Sequence, residues 1–202
     1  MKILIVYGTS AGQTSKIAGH IARTLKDRGY EVDLVNGRTI PANLDLAPYV
    51  AVIVGASVRA GRFQRYIRDF VKMHRDQMQR LPSAFFSVSL SEADPNPKMH
   101  TRLSTQVTHF LEEAGWHPDK IASFAGSIAY LRYHWIMRLI WPRLPLPGRG
   151  GARQDREMAD SAYEYTDWDA VARFADEFAT EARSAPRKPY RVDSYPGQVV
   201  SG

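Results

Sequence analysis

The chain has 202 residues, 44% of them apolar, which is enough for one domain with a full core or one domain carrying an elaborate insertion. It contains no cysteine, which excludes disulfides, thiolate nucleophiles, iron–sulfur clusters and cysteine-ligated zinc. The net charge of +6 is unevenly spread: from Arg132 to Arg156 there are six arginines and one acid, Asp155, so that stretch suits an acidic small molecule, anionic lipid or nucleic acid, or is a solvated loop.

Residues 3–7 form a continuous apolar run, the pattern of a strand buried on both faces. A polar turn follows, and then Ile17, Ile21 and Leu25, with Ala18 and Ala22, recur at helical spacing until Gly29. Glu31–Val35 alternates as a short strand, and Val50–Val54 is a second apolar run that Gly55 is expected to end. Phe63, Tyr66, Ile67, Phe70 and Val71 mark one face of a helix, and Pro82 breaks the chain before a third run, Ala84–Val88. Leu103, Val107, Phe110 and Leu111 give another helix, Ile121–Ala125 a last strand, and Val171, Phe174, Ala175, Phe178 and Ala179 the closing helix. Five strands alternating with helices predict an α/β fold, a parallel sheet in the order 2-1-3-4-5 with helices on both faces.

Two segments fall outside this alternation. One is a basic aromatic insertion, residues 127–163, before the last helix; the other is the tail 184–202, rich in Pro, Ser and Gly, which is expected to be disordered. Residues 1–183 are thus expected to form a single domain. Met1-Lys2 runs straight into the first strand, too short for a signal sequence, and no stretch reaches the roughly 20 apolar residues of a membrane span. A cytoplasmic location is the expectation. In an open α/β sheet, ligands sit beyond the carboxyl ends of the strands, which directs attention to loops 8–14, 55–62, 89–97 and 127 onward.

The first of these loops reads Gly8-Thr9-Ser10-Ala11-Gly12-Gln13-Thr14. Backbone N–H groups at a helix N-terminus attract an anion. Thr9, Ser10 and Thr14 add hydroxyls, Gln13 adds an amide, and the small Ala11 and Gly12 let the backbone close on the ligand. A P-loop is excluded because Ser15 precedes Lys16 where glycine is required, and no G-x-G-x-x-G is present. A phosphoacceptor domain of the same topology needs acids after strands one and three, where this chain has Gly8-Thr9-Ser10 and Gly55-Ala56-Ser57. The remaining alternative is an ordinary Ser/Thr-rich helix cap.

Ile5, Val6, Tyr7, Thr9, Gly12, Thr14, Ala18 and Ile21 together resemble the flavodoxin signature. The resemblance implies a flavodoxin-like fold in which Thr9, Ser10, Ala11, Gly12, Gln13 and Thr14 hold the phosphate of flavin mononucleotide (FMN). It also implies that Ala56, Ser57, Val58, Arg59 and Gly61, with Ser89, Leu90 and Ser91, lie around the flavin ring. Arg59 is a candidate for tuning the flavin, because a cation at the pyrimidine edge favours the negatively charged reduced form and raises the potential. Its other reading is a solvent-facing side chain or a partner of Glu92 or Asp94.

Within the insertion, Leu131, Trp135 and Leu139 with Ile136 and Ile140 form a helical stripe that Pro142 should end. Arg132, Tyr133, Trp135, Arg138 and Trp141 combine cations with aromatic rings, as membrane-surface elements and sites for large aromatic ligands do. No nucleic-acid motif accompanies them, and core packing is the other reading for the tryptophans. The six histidines are scattered without ligand spacing, so no metal site is expected, and His134 alone is a candidate for proton transfer.

A second resemblance is more specific. Gly12-Gln13-Thr14, Gly55-Ala56-Ser57, Pro82-Ser83-Ala84-Phe85 with Ser87-Val88, Trp116 with Pro118-Asp119, Ala125-Gly126, Tyr130–Trp135 and Tyr165-Thr166-Asp167-Trp168 are similar to the menaquinone-dependent protoporphyrinogen dehydrogenase family. That family implies oxidation of protoporphyrinogen IX by FMN in haem biosynthesis, with menaquinone or a similar quinone as acceptor and peripheral contact with the inner face of the cell membrane. The chain departs from the family in one respect: Pro142, Pro145 and Pro147 interrupt the basic apolar helix of the insertion. A flavodoxin-type electron carrier, a general NAD(P)H:quinone reductase and a regulatory protein that has lost its flavin are the rival readings.

Overall fold

Ile3, Leu4, Ile5 and Val6 are all fully buried, and they alternate between two cores: Ile3 and Ile5 pack on one side of the sheet, Leu4 and Val6 on the other. This is the arrangement that a continuous apolar run imposes on a strand covered on both faces, with each such side chain contributing roughly 1.5–3 kcal/mol of burial. The computed structural model describes residues 1–41, 44–59, 61–89, 97–128, 163–164 and 166–184. Strands β1 (Lys2–Gly8), β2 (Glu31–Asn36), β3 (Ala51–Ser57), β4 (Ser83–Ser89) and β5 (Lys120–Ala125) pair in parallel in the order β2-β1-β3-β4-β5, as expected. Helices α1 (Gln13–Asp27) and α4 (Trp168–Ser184) cover one face, and α2 (Arg65–Met78) and α3 (Pro97–Ala114) the other.

Strand β3 runs two residues past Gly55, which the sequence suggested would end it. The glycine is there for space: a Cβ at position 55 would lie 2.0 Å from Cζ of the buried Phe86 ring on the neighbouring strand. The loop read as 55–62 therefore begins at Val58, and Ala56 is a core residue, fully buried.

An element absent from the sequence reading joins the two ends of the insertion. Strands β6 (Ser127–Ile128) and β7 (Tyr163–Glu164) pair antiparallel, Ser127 with Glu164 and Ile128 with Tyr163. The remainder of the insertion, with Arg132, Tyr133, His134, Trp135, Arg138 and Trp141, lies outside the described residues, as do Leu90, Ser91 and the tail from 185 onward. Just after β7, Asp167 caps α4, accepting the Ala170 N–H at 2.9 Å. Thr166, the other capping candidate, is used elsewhere.

The resolved ion pairs on the sheet gather at its amino-terminal end. Lys2 pairs with Asp33 at 2.9 Å, and Tyr49 Oη donates to the same carboxylate at 2.7 Å. Lys120, the first residue of β5, meets Glu177 and Glu181 of α4 at 2.8 and 3.0 Å. The carboxyl-terminal end of the sheet has a different chemistry.

Candidate functional site

There, a cleft of about 280 Å³ opens between the loops that follow β1, β3, β4 and β5. Thr9, Ser10, Ala11, Gln13 and Thr14 line it from the first loop, Ser57, Val58 and Arg59 from the end of β3, Val88 and Ser89 from β4, and Gly126 from just past β5. Among the described residues the lining holds hydroxyls, an amide, backbone and the Arg59 cation, and no carboxylate. Four strand ends converge because the parallel sheet reverses its order between β1 and β3, which leaves the crevice open.

The first loop is built to present donors. Gly12 takes φ 97°, a left-handed conformation that favours glycine, and starts α1 with no side-chain acceptor on the helix N-terminus. Its N–H donates to Thr9 Oγ1 at 2.8 Å, which fixes the turn. No acid occupies the first turn of α1, so the positive end of the helix dipole is not neutralised from within. Thr14 is 1% exposed, and its Oγ1 has no hydrogen-bond partner among the described residues. A buried hydroxyl in that state costs on the order of 1–3 kcal/mol, which a ligand oxygen at the loop would recover. An FMN phosphate fits this donor set; the flavin fits the more apolar space between Val58 and Val88.

Gln13, which lines the cleft, also bonds across it to the far end of the chain. Its Nε2 donates to Thr166 Oγ1 at 2.9 Å, and Thr166 donates in turn to the Ala125 carbonyl at 2.8 Å. These bonds tie the first loop to the end of β5 and to the residue that precedes the last helix's cap. Sequence reading identified Tyr165-Thr166-Asp167-Trp168 only as a motif, with Thr166 or Asp167 as a cap.

Gln64 was not foreseen at all. Its Nε2 donates to Ser10 Oγ at 3.2 Å and to Ser57 Oγ, while its Oε1 accepts the Ser57 N–H at 3.1 Å. One side chain thus joins the two loops that frame the cleft. A glutamine at the N-cap of α2, where Ser, Thr, Asp or Asn is favoured, was the available signal. Val88 and Gly126 also line the cleft without a mark in the sequence, Gly126 one residue before the loop expected from 127 onward.

Of the residues expected to surround the ring, Ser57, Val58, Arg59 and Ser89 line the cleft. Gly61 stands just beyond it, in a turn at φ 76° whose flanks Arg59 and Arg62 exchange backbone hydrogen bonds at 2.9 and 3.1 Å. Among the described residues no cluster of His, Asp and Glu could hold a metal, and no helix is long and apolar enough to cross a membrane.

Comparison with known proteins agrees with this geometry. A family model for the flavodoxin domain matches residues 4–143. A protein of Escherichia coli strain K12 named protoporphyrinogen IX dehydrogenase (quinone) is 36% identical over 179 residues, covering 89% of this chain and 95% of the relative. A Leishmania major protein of the same name is 34% identical over 192 residues, covering 93% of this chain and 79% of the relative. Among solved structures, oxidised flavodoxin 2 from Bacillus cereus superposes with a TM-score of 0.54 at 19% identity, over 90% of this chain and 99% of the other, which shows the fold. With identity of this extent along nearly its whole length, and with the flavodoxin domain at its core, the chain belongs to the protoporphyrinogen IX dehydrogenase family.

Proposed function

We propose that this protein oxidises protoporphyrinogen IX to protoporphyrin IX, with FMN seated in the cleft and a quinone as electron acceptor. The observation that carries the cofactor is the Thr14 hydroxyl, without a partner among the described residues and buried in a loop of donors at the start of α1. Family membership supports the substrate and the acceptor. Bound FMN supplies two-electron chemistry, accepting hydrogen from the porphyrinogen and passing electrons to the quinone.

The chain's own residues position and bias that chemistry. Thr9, Ser10, Ala11, Gly12, Gln13 and Thr14 would hold the phosphate, with Thr14 Oγ1 available as a donor to it. Ser57, Val58, Arg59, Gly61 and Ser89 border the ring, with Leu90 and Ser91 continuing that wall, and Ala56 supports it from the core. The Arg59 cation favours negative charge on the reduced cofactor, which raises its potential and suits a flavin that takes electrons from a substrate.

The insertion, with Arg132, Tyr133, Trp135, Arg138 and Trp141, is read as a contact for substrate or membrane, and His134 as a proton carrier. Support comes from its roots: β6 follows directly on Gly126, a lining residue of the cleft, and β7 leads into Thr166, bonded to the phosphate loop. Residues 1–183 form one functional unit on this reading, the protein acting in the cytoplasm at the inner face of the membrane.

The test is anaerobic turnover of protoporphyrinogen IX with a menaquinone analogue, followed by porphyrin fluorescence. Quinone-dependent porphyrin formation is expected. Porphyrin formation at the uncatalysed rate, with rapid NADPH oxidation instead, refutes the reading in favour of a general quinone reductase.

A further inference from the structure

Two serine hydroxyls that line the cleft, Ser10 in the first loop and Ser57 at the end of β3, share one partner. Gln64 Nε2 donates to Ser10 Oγ at 3.2 Å and to Ser57 Oγ, so both of its hydrogens are committed. The amide cannot be turned over, because its Oε1 accepts the Ser57 N–H at 3.1 Å and a backbone N–H only donates. Gly8, the last residue of β1, leaves the space for it: a Cβ there would lie 2.9 Å from Gln64 Oε1 and 2.5 Å from Ile67 Cγ1.

A serine hydroxyl carries one hydrogen and two lone pairs, so where a fixed N–H occupies a lone pair the hydroxyl's own hydrogen has to point elsewhere. Among the described residues neither Ser10 Oγ nor Ser57 Oγ donates to another group. Both hydrogens are thus left for an acceptor in the cleft that the two serines line. A phosphate oxygen only accepts, and a hydrogen bond to it is strengthened by its charge, so it suits a hydroxyl held in this sense. A freely turning hydroxyl would have to be ordered on binding, whereas these two are ordered beforehand.

We propose that Gln64 is a positioning residue that makes Ser10 and Ser57 obligate donors toward the cofactor, with Ser10 serving its phosphate. The inference rests on the reading that the first loop holds the phosphate, and it adds the residue that sets the sense of the hydrogen bonds made there. It also gives a reason for an amide, with two donors and an acceptor on one planar head, at the start of α2.

Gln64→Glu separates the sense of these bonds from mere attachment of the loops. A carboxylate of the same shape still accepts the Ser57 N–H, but it also accepts from both hydroxyls and turns their hydrogens away from the cleft. FMN and riboflavin are titrated, by quenching of flavin fluorescence, into the full-length apoprotein with and without Ser10→Ala, in the native, Gln64→Glu and Gln64→Met backgrounds. In the native background Ser10→Ala should weaken FMN binding about tenfold and change riboflavin binding less than about twofold. In the Gln64→Glu background the same substitution should cost less than about twofold, because that hydroxyl no longer serves the ligand. Gln64→Met adds no charge and serves if the glutamate variant does not fold. It releases the hydroxyl to its three staggered positions, so the cost of Ser10→Ala should fall to about threefold. An equal cost of Ser10→Ala in every background overturns the proposal, since Gln64 would then act through charge or loop attachment alone, and so does the absence of any cost in the native background. A cost that vanishes with Gln64→Glu but is as large for riboflavin as for FMN upholds the control of the hydroxyl by Gln64 while refuting the phosphate's place at the first loop.

Discussion

Replacing Thr14 by Val keeps the shape of the side chain and removes its hydroxyl, so it separates the two tasks this position can have. In the apoprotein, Thr14 Oγ1 is buried and lacks a partner among the described residues. An unpaired buried hydroxyl costs about 1–3 kcal/mol, so the valine variant should be as stable as the native apoprotein or more stable, by about 1 kcal/mol. With the cofactor present the sign reverses. A hydrogen bond to a charged phosphate contributes about 1.5–3 kcal/mol, so the dissociation constant for FMN should rise roughly ten- to hundredfold. Urea unfolding of both apoproteins gives the first quantity, and quenching of flavin fluorescence on titration gives the second. An apo variant destabilised by more than about 1 kcal/mol, with FMN affinity unchanged, would refute the reasoning, because the hydroxyl would then be serving the fold.

Four further outcomes follow from the same geometry. Gln64→Ala removes three hydrogen bonds that join the loops of Ser10 and Ser57, and should weaken FMN binding about tenfold, read by the same titration. Thr166→Val removes the hydroxyl that accepts from Gln13 Nε2 and donates to the Ala125 carbonyl, and should lower stability by about 2 kcal/mol in urea unfolding. Gly55→Ala drives a methyl into the Phe86 ring, and should cost about 1–3 kcal/mol or prevent folding, measured by thermal unfolding. The fourth concerns pH. Burial, and then its bond to Asp33, pushes the Tyr49 phenol up to about 12, so its contribution to stability is intact below the ordinary tyrosine range and fades as pH rises towards that value. The Asp33 carboxyl is held below its usual range by Tyr49 and then by Lys2, so its contribution holds above about pH 4 and is lost as pH falls through the lowered value. Tyr49→Phe should remove one late-ionising phenol from the ultraviolet titration and raise the Asp33 pKa in carboxyl NMR.

Much of the fold was legible because burial on two faces leaves a plain mark on sequence. The run Ile3–Val6 admits only apolar residues, and it alternates between two cores just as such a strand must. The first loop's part in the cleft was legible because its small residues and side-chain donors lie close together in the chain. What escaped depends on contacts between distant positions. Gln13 and Thr166 are 153 residues apart, and nothing local distinguishes a threonine that caps a helix from one that ties two loops together. Gly55 reads as the end of a strand until the Phe86 ring on the next strand is seen to need the space. The β6–β7 ladder is two residues long on each side, too short to leave a periodicity. Gln64 joins loops that only the folded sheet brings together.

The most direct test of the central claim is anaerobic mixing of the FMN-loaded protein with protoporphyrinogen IX, recording flavin absorbance and using NADPH as the comparison donor. The account predicts rapid bleaching by the porphyrinogen and recovery on adding a menaquinone analogue. Bleaching by NADPH alone would contradict it, leaving a quinone reductase or an electron carrier on the same fold.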